Sequence, residues 1–209
     1  MKYVGMPLAM WLLYVTSFRK HLEKVLKYDP ETAKRITGKA KKAYRKIISG
    51  LPEFEKEDQF QTNILSCAMF SAFILNLGKS HSVEAMTEYY SSSMMTAPTR
   101  WFCRMSDKGK FGEKDVIQMK KTALLKAADR NPYSWSMTFI PYDDGSGYEC
   151  RFDRCGICTL MNELGISRYT PAMCHLDYDM NEAGGACRFV RKYTLASGGP
   201  YCDCGYKKK

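Results

Sequence analysis

The chain has 209 residues, of which 45% are hydrophobic, 13% aromatic and 26% charged, and its formal net charge is +10. These values suit a filled globular core and exclude a disordered chain. Nine cysteines in a chain of this length, with no cleavable export signal evident, argue against a small secreted disulfide framework.

The basic excess is local. Arg19 to Lys46 holds 11 Lys or Arg residues against 3 acids, whereas Glu149 to Asp203 holds 6 against 7. The apolar opening "VGMPLAMWLLYV" is shorter than the roughly 20 residues a membrane span needs. Only Lys2 precedes it and no A-x-A-like cleavage site follows, so the expected compartment is the cytoplasm, with reduced thiols.

Trp11 to Leu26 reads as the first helix, with Leu22, Val25 and Leu26 on one face. Asp29 and Pro30 cap and open the next, in which Ala33, Ile36, Ala40, Tyr44 and Ile47 recur at helical spacing and the lysines face outward. That basic run reads as a solvated helix face, so nucleic acid is not the expected partner. Phe60 to Leu77 is apolar nearly all round and predicts a buried central helix ended by Gly78. Ser82 opens a helix through Met94. Glu113 to Ala128 follows as an amphipathic helix with Val116, Met119, Leu124 and Leu125 as its apolar positions.

After Pro132 the pattern changes. "SWSMTFIPY" and "YECRFDRC" flank the turn residues "DDGSG" and predict a hairpin. "GICTLMNELGI" and "TPAMCHLDYDMNEAGG" read as short helices, and "CRFVRKYTLASGGPYCDCGY" as two strands joined at Gly198 and Gly199. The predicted fold is α+β: a helical N-terminal two thirds packed on a mostly antiparallel four-stranded sheet, with short helices in the C-terminal third. A single domain over 1–209 is expected, mainly helical over 1–130 and cysteine-rich β/α over 131–209.

The chemistry is concentrated in this last part. Cys155 and Cys158 form a C-x-x-C at a strand-to-helix turn, where two thiolates can face one point. With Cys174 and Cys202 they make a candidate metal set, zinc or another transition metal. They equally suit a reactive thiol or buried small apolar residues. Cys174 and Asp177 are three apart, hence on one helix face, as a nucleophile and its base would be. In an extended "CDC", Cys202 and Cys204 point one way and Asp203 the other. Arg191, alternating with Phe189 and Tyr193, can turn inward and anchor a substrate carboxylate. His21 and His81 stand alone and read as structural, and "GKSHS" lacks the upstream glycine of a phosphate loop.

Taken in order, "RCGIC", "PAMCHLDY", "TLASGG" and "CD" over Arg154 to Asp203 resemble the L-2-amino-thiazoline-4-carboxylic acid hydrolase family. The resemblance implies a bacterial soluble enzyme that opens a small heterocyclic ring such as 2-amino-thiazoline-4-carboxylate to a carbamoyl-cysteine-type product. Its partner would be a small carboxylate-bearing substrate, with no membrane involved. The matching positions are Cys155, Cys158, Cys174, Asp177, Arg191, Thr194, Gly198, Gly199, Cys202 and Asp203. Of these, Cys174, Asp177 and Asp203 are the catalytic candidates, and Arg191, Thr194, Gly198 and Gly199 the substrate-binding ones. Cys204 departs from the pattern, where an aromatic residue is expected. The competing reading is a non-catalytic cysteine-rich module that binds a metal or small molecule.

Overall fold

A computed structural model describes residues 5–55 and 58–209. Lys2 and Val4, the first residue of the apolar opening, lie outside the described residues. The chain forms two compact units, each discontinuous in sequence: 1–94 with 157–173, and 95–156 with 174–209. No described helix is long and apolar enough to cross a membrane.

The first unit is helical. Helix α1 (Met6–Lys24) starts five residues ahead of expectation, with a proline in its first turn, and buries Trp11, Tyr14, Phe18 and Leu22 at three- and four-residue steps. Helix α2 (Pro30–Gly50) is capped by Asp29, whose carboxylate accepts from the Thr32 amide at 2.9 Å. Its buried stripe is Ala33, Ile36, Ala40, Tyr44 and Ile48, which leaves the lysines outside as predicted. Helix α3 (Gln61–Ile74) is buried from Ile64 to Ile74 without a break, because it has no polar face to turn outward. Helix α4 (Val83–Met94) opens on Ser82, whose hydroxyl accepts from the Ala85 amide.

Aromatic rings fasten these helices together. Phe18 lies 4.9 Å from Phe73 and 5.6 Å from Tyr89, centroid to centroid, and Phe70 lies 4.4 Å from Tyr90. Each fully buried ring of this kind contributes roughly 1.5–3 kcal/mol by removal from water. Two further pieces belong largely to this unit: α7 (Gly156–Glu163), which begins one residue before the boundary, and a 3-10 turn at Ser167–Tyr169.

The second unit carries the sheet. Strands β1 (Ser136–Pro141), β2 (Gly147–Arg154), β3 (Cys187–Val190) and β4 (Cys202–Lys208) lie in the order β1-β2-β4-β3, every pair antiparallel. The fold is therefore α+β, with helices concentrated in the N-terminal part, as the sequence predicts. Helix α5 (Ala97–Asp107), absent from the sequence reading, starts on Thr96, whose hydroxyl accepts from the Thr99 amide. Helix α6 (Glu113–Ala128) has its predicted bounds but not its predicted face: Thr122 and Lys126 are the buried residues, while Leu124 and Leu125 are exposed. The Lys126 ammonium reaches inward to Asp129 at 2.9 Å and Ser134 at 2.6 Å, and so satisfies its buried charge. Helix α8 (Thr170–Gly184) enters this unit at Cys174.

Candidate functional site

The register of β4 decides which side chains face inward. Cys202 pairs with Phe152 of β2 and Cys204 with Cys150, so the two β4 thiols share the sheet face of Tyr206. Both are buried, and with Phe189 they form a small apolar cluster closed by Phe152, Leu195 and Tyr206. Asp203 falls on the opposite face, as alternation requires. There its carboxylate accepts from the Lys192 amide at 3.0 Å and the Tyr193 amide at 2.6 Å.

Those two bonds hold the chain where it leaves β3. Arg191 lies one residue past the end of that strand, not within it as predicted, yet its side chain does turn inward and is only 6% exposed. One guanidinium nitrogen donates to the Asp177 carboxylate at 2.7 Å and another to the Cys174 carbonyl, also at 2.7 Å. Tyr178 and Phe189 offer ring faces to it at 5.1 and 5.2 Å, and the two rings meet edge to face. Arg191 thus joins the end of β3 to the helix that carries Cys174, Asp177 and Tyr178.

Electrostatics follow from crowding. Burial raises the Cys174 thiol well above the ordinary cysteine range, and the negative charge of Asp177 and the neighbouring Cys155 add to this, against the pull of Arg191. Burial likewise raises Cys204 and Cys202, although the Leu195 amide donating to the Cys202 sulfur at 3.2 Å works the other way. Burial also lifts the Asp177 carboxyl above its usual value, and the Arg191 guanidinium offsets only part of that rise. Its side chain nevertheless keeps 46% of its surface accessible, so it is crowded by protein on one side and open on another. For Arg191, burial is the largest single influence and opposes the charge, but Asp177, Cys204 and Cys174 together, with the bond to Cys204, outweigh it and raise the guanidinium pKa.

The structure therefore gathers Cys155, Cys174, Asp177, Arg191, Cys202 and Cys204 into one electrostatic neighbourhood. Cys158 sits on α7, in the other unit. Among the described residues no group of three or more His, Cys, Asp or Glu side chains is arranged to hold a metal ion. Thr194, Gly198 and Gly199 build the turn into β4. The Thr194 hydroxyl accepts from the Ser197 amide, Gly198 adopts φ 78°, and the Gly199 amide donates to the Thr194 carbonyl at 2.9 Å. A Cβ on Gly199 would meet that carbonyl at 2.9 Å. The residue that sequence reasoning missed is Tyr178. Its spacing of four from Cys174 on one helix was a usable signal.

A helix supplying a thiol and a carboxylate, facing a sheet edge that supplies an inward arginine, is an arrangement suited to binding and protonating a small polar molecule. Residues 58–206 match the model of the L-2-amino-thiazoline-4-carboxylic acid hydrolase family, and the chain belongs to that family. No curated protein and no solved structure matches it.

Proposed function

We propose that this chain is a hydrolase that opens a small, carboxylate-bearing heterocycle of the 2-amino-thiazoline-4-carboxylate type to a carbamoyl-cysteine-type product. The observation that carries the reading is the grouping of the Cys174 thiol, the Asp177 carboxylate and the Arg191 guanidinium on facing elements.

The ring carbon between nitrogen and sulfur is the electrophile. The Cys174 sulfur attacks it while the thiol proton passes to Asp177, and the ring carbon–sulfur bond breaks as Asp177 returns the proton to the departing sulfur. Water then adds to the carbon now attached to Cys174 and expels the thiol, so one water is consumed per turnover and the enzyme is regenerated. A thiol held protonated at rest needs a base within reach, and a carboxylate with a raised pKa is a better proton carrier near neutrality than an ordinary one. Arg191 donates to Asp177, the Cys174 carbonyl and the Cys204 sulfur, and of its five donors others are left for the substrate carboxylate. Asp203 is engaged by two backbone amides and serves to hold the Arg191 segment, and Thr194, Gly198 and Gly199 shape the turn beside Cys202.

Incubating the purified chain with 2-amino-thiazoline-4-carboxylate and following carbamoyl-cysteine by mass spectrometry tests this. Turnover by the wild type, lost by about 100-fold or more in Cys174→Ala with an unchanged circular dichroism spectrum, is the expected result. Binding without turnover by the wild type would establish a non-catalytic module instead. A fully active Cys174→Ala would remove the thiol from the chemistry.

A further inference from the structure

A concave site lies in the first unit, entirely within residues that precede the family-matched segment. It encloses about 480 Å³, inside the range of roughly 300–1,000 Å³ typical of small-molecule sites. Its floor is apolar. Trp11 stacks on Tyr44 with ring centroids 5.6 Å apart, and Ile48 continues the same stripe of α2. Pro7 and Leu8 at the start of α1 form one wall, and the Tyr44 hydroxyl donates to the Pro7 carbonyl at 3.2 Å, which ties that wall to the floor.

The other wall is cationic. Lys41 and Arg45 are four residues apart on α2, hence adjacent on one face, and both are exposed. Two like charges one turn apart repel each other, and among the described residues no carboxylate pairs with either. An apolar trough with an unpaired lysine and arginine at its edge matches a ligand with a hydrocarbon body and a single anionic head.

We infer that this groove binds a small amphipathic carboxylate, its apolar chain lying on Trp11, Tyr44 and Ile48 and its carboxylate between Lys41 and Arg45. The site is independent of the thiol-bearing centre, and its occupant differs in kind from a compact heterocyclic substrate. Leu8 is 57% exposed at the groove, so a bound chain would cover it and remove apolar surface from water.

The probe is sodium decanoate below its micelle concentration, titrated into the full chain by calorimetry at neutral pH, with decanol as the neutral counterpart. Saturable binding of about one decanoate per chain is expected, with much weaker binding of decanol. The double variant Lys41→Glu with Arg45→Glu should weaken decanoate binding by about tenfold or more, the loss of two charge-assisted contacts. Lys34→Glu with Arg35→Glu changes the net charge of the same helix equally, outside the groove, and should leave binding nearly intact. Equal weakening by both double variants would overturn the assignment of the head group. Equal binding of decanol, or no saturable binding, would overturn the ligand class. Adhesion to phosphatidylglycerol vesicles without binding of free decanoate would replace the proposal with surface docking.

Discussion

Asp177 is predicted to tolerate loss of its charge but not loss of its oxygen. The Arg191 side chain is 6% exposed and donates to Asp177 and to the Cys174 carbonyl, each at 2.7 Å, and also to the Cys204 sulfur. Because burial raises the Asp177 pKa in spite of Arg191, ionisation of this carboxyl is not what the fold gains from; the fold gains an acceptor for a buried guanidinium. Asp177→Asn keeps an acceptor and is expected to cost about 1 kcal/mol or less, whereas Asp177→Ala leaves one guanidinium nitrogen of a buried cation without its acceptor and is expected to cost about 2–3 kcal/mol. The pH dependence has a definite sign. A carboxyl whose pKa is raised by folding contributes stability that is complete below its unfolded value, near 4, and lost as pH rises through its folded value. The gap between wild type and Asp177→Asn should therefore narrow as pH rises from about 4 towards neutrality. Urea unfolding followed by circular dichroism at several pH values measures both effects. Equal destabilisation by Asn and Ala, or a gap that widens with pH, would refute this account. If Asp177 also carries the proton in catalysis, both variants should lose about 100- to 10,000-fold in turnover, so that Asn separates chemistry from folding.

Two other outcomes are expected. Gly156→Ala places a Cβ 1.8 Å from the Tyr133 carbonyl oxygen, a backbone atom that cannot rotate away, so the urea midpoint should fall by the equivalent of about 1–3 kcal/mol or more; wild-type stability would show that the β2–α7 junction yields freely. Burial pushes the Cys150 thiol up to about 12, leaving roughly one thiolate in 10,000 at pH 8, so a disulfide reagent should modify it only on unfolding. Native labelling of Cys150 at the rate of a free cysteine would contradict its placement.

Legibility in the sequence tracked how strongly each segment commits to one environment. Helix α3 was readable because it is apolar on every side, and the β1–β2 hairpin because its turn residues sit between alternating runs. Helix α5 was missed because it inverts the usual pattern: Thr99 and Cys103 are buried, while Trp101, Phe102 and Met105 are exposed. The same inversion misassigned the face of α6 at Leu124 and Leu125. The signal available at α5 was chemical, a threonine cap followed by proline at the second position. At the candidate site, alternation foretold that Cys202 and Cys204 would part from Asp203. No local rule could join Arg191 to Asp177, since fourteen residues and the end of a strand separate them. Nor could sequence foresee that Asp203 would bind backbone amides, because that depends on how the chain turns after β3.

The alternation in β4 has a consequence for how this sequence can change over time. Sliding the strand by one position would carry both thiols to the outer surface and drive Asp203 among Phe152, Phe189 and Tyr206, with no amides waiting for it. Insertions or deletions of a single residue within Cys202–Lys208 that shift its pairing are therefore closed to it. Changes of two residues preserve the parity of the strand but displace the sulfur that meets the Leu195 amide. Drift in this segment is confined to substitution, and within substitution the inner and outer faces answer to different demands, one to an apolar cluster and the other to a pair of backbone amides.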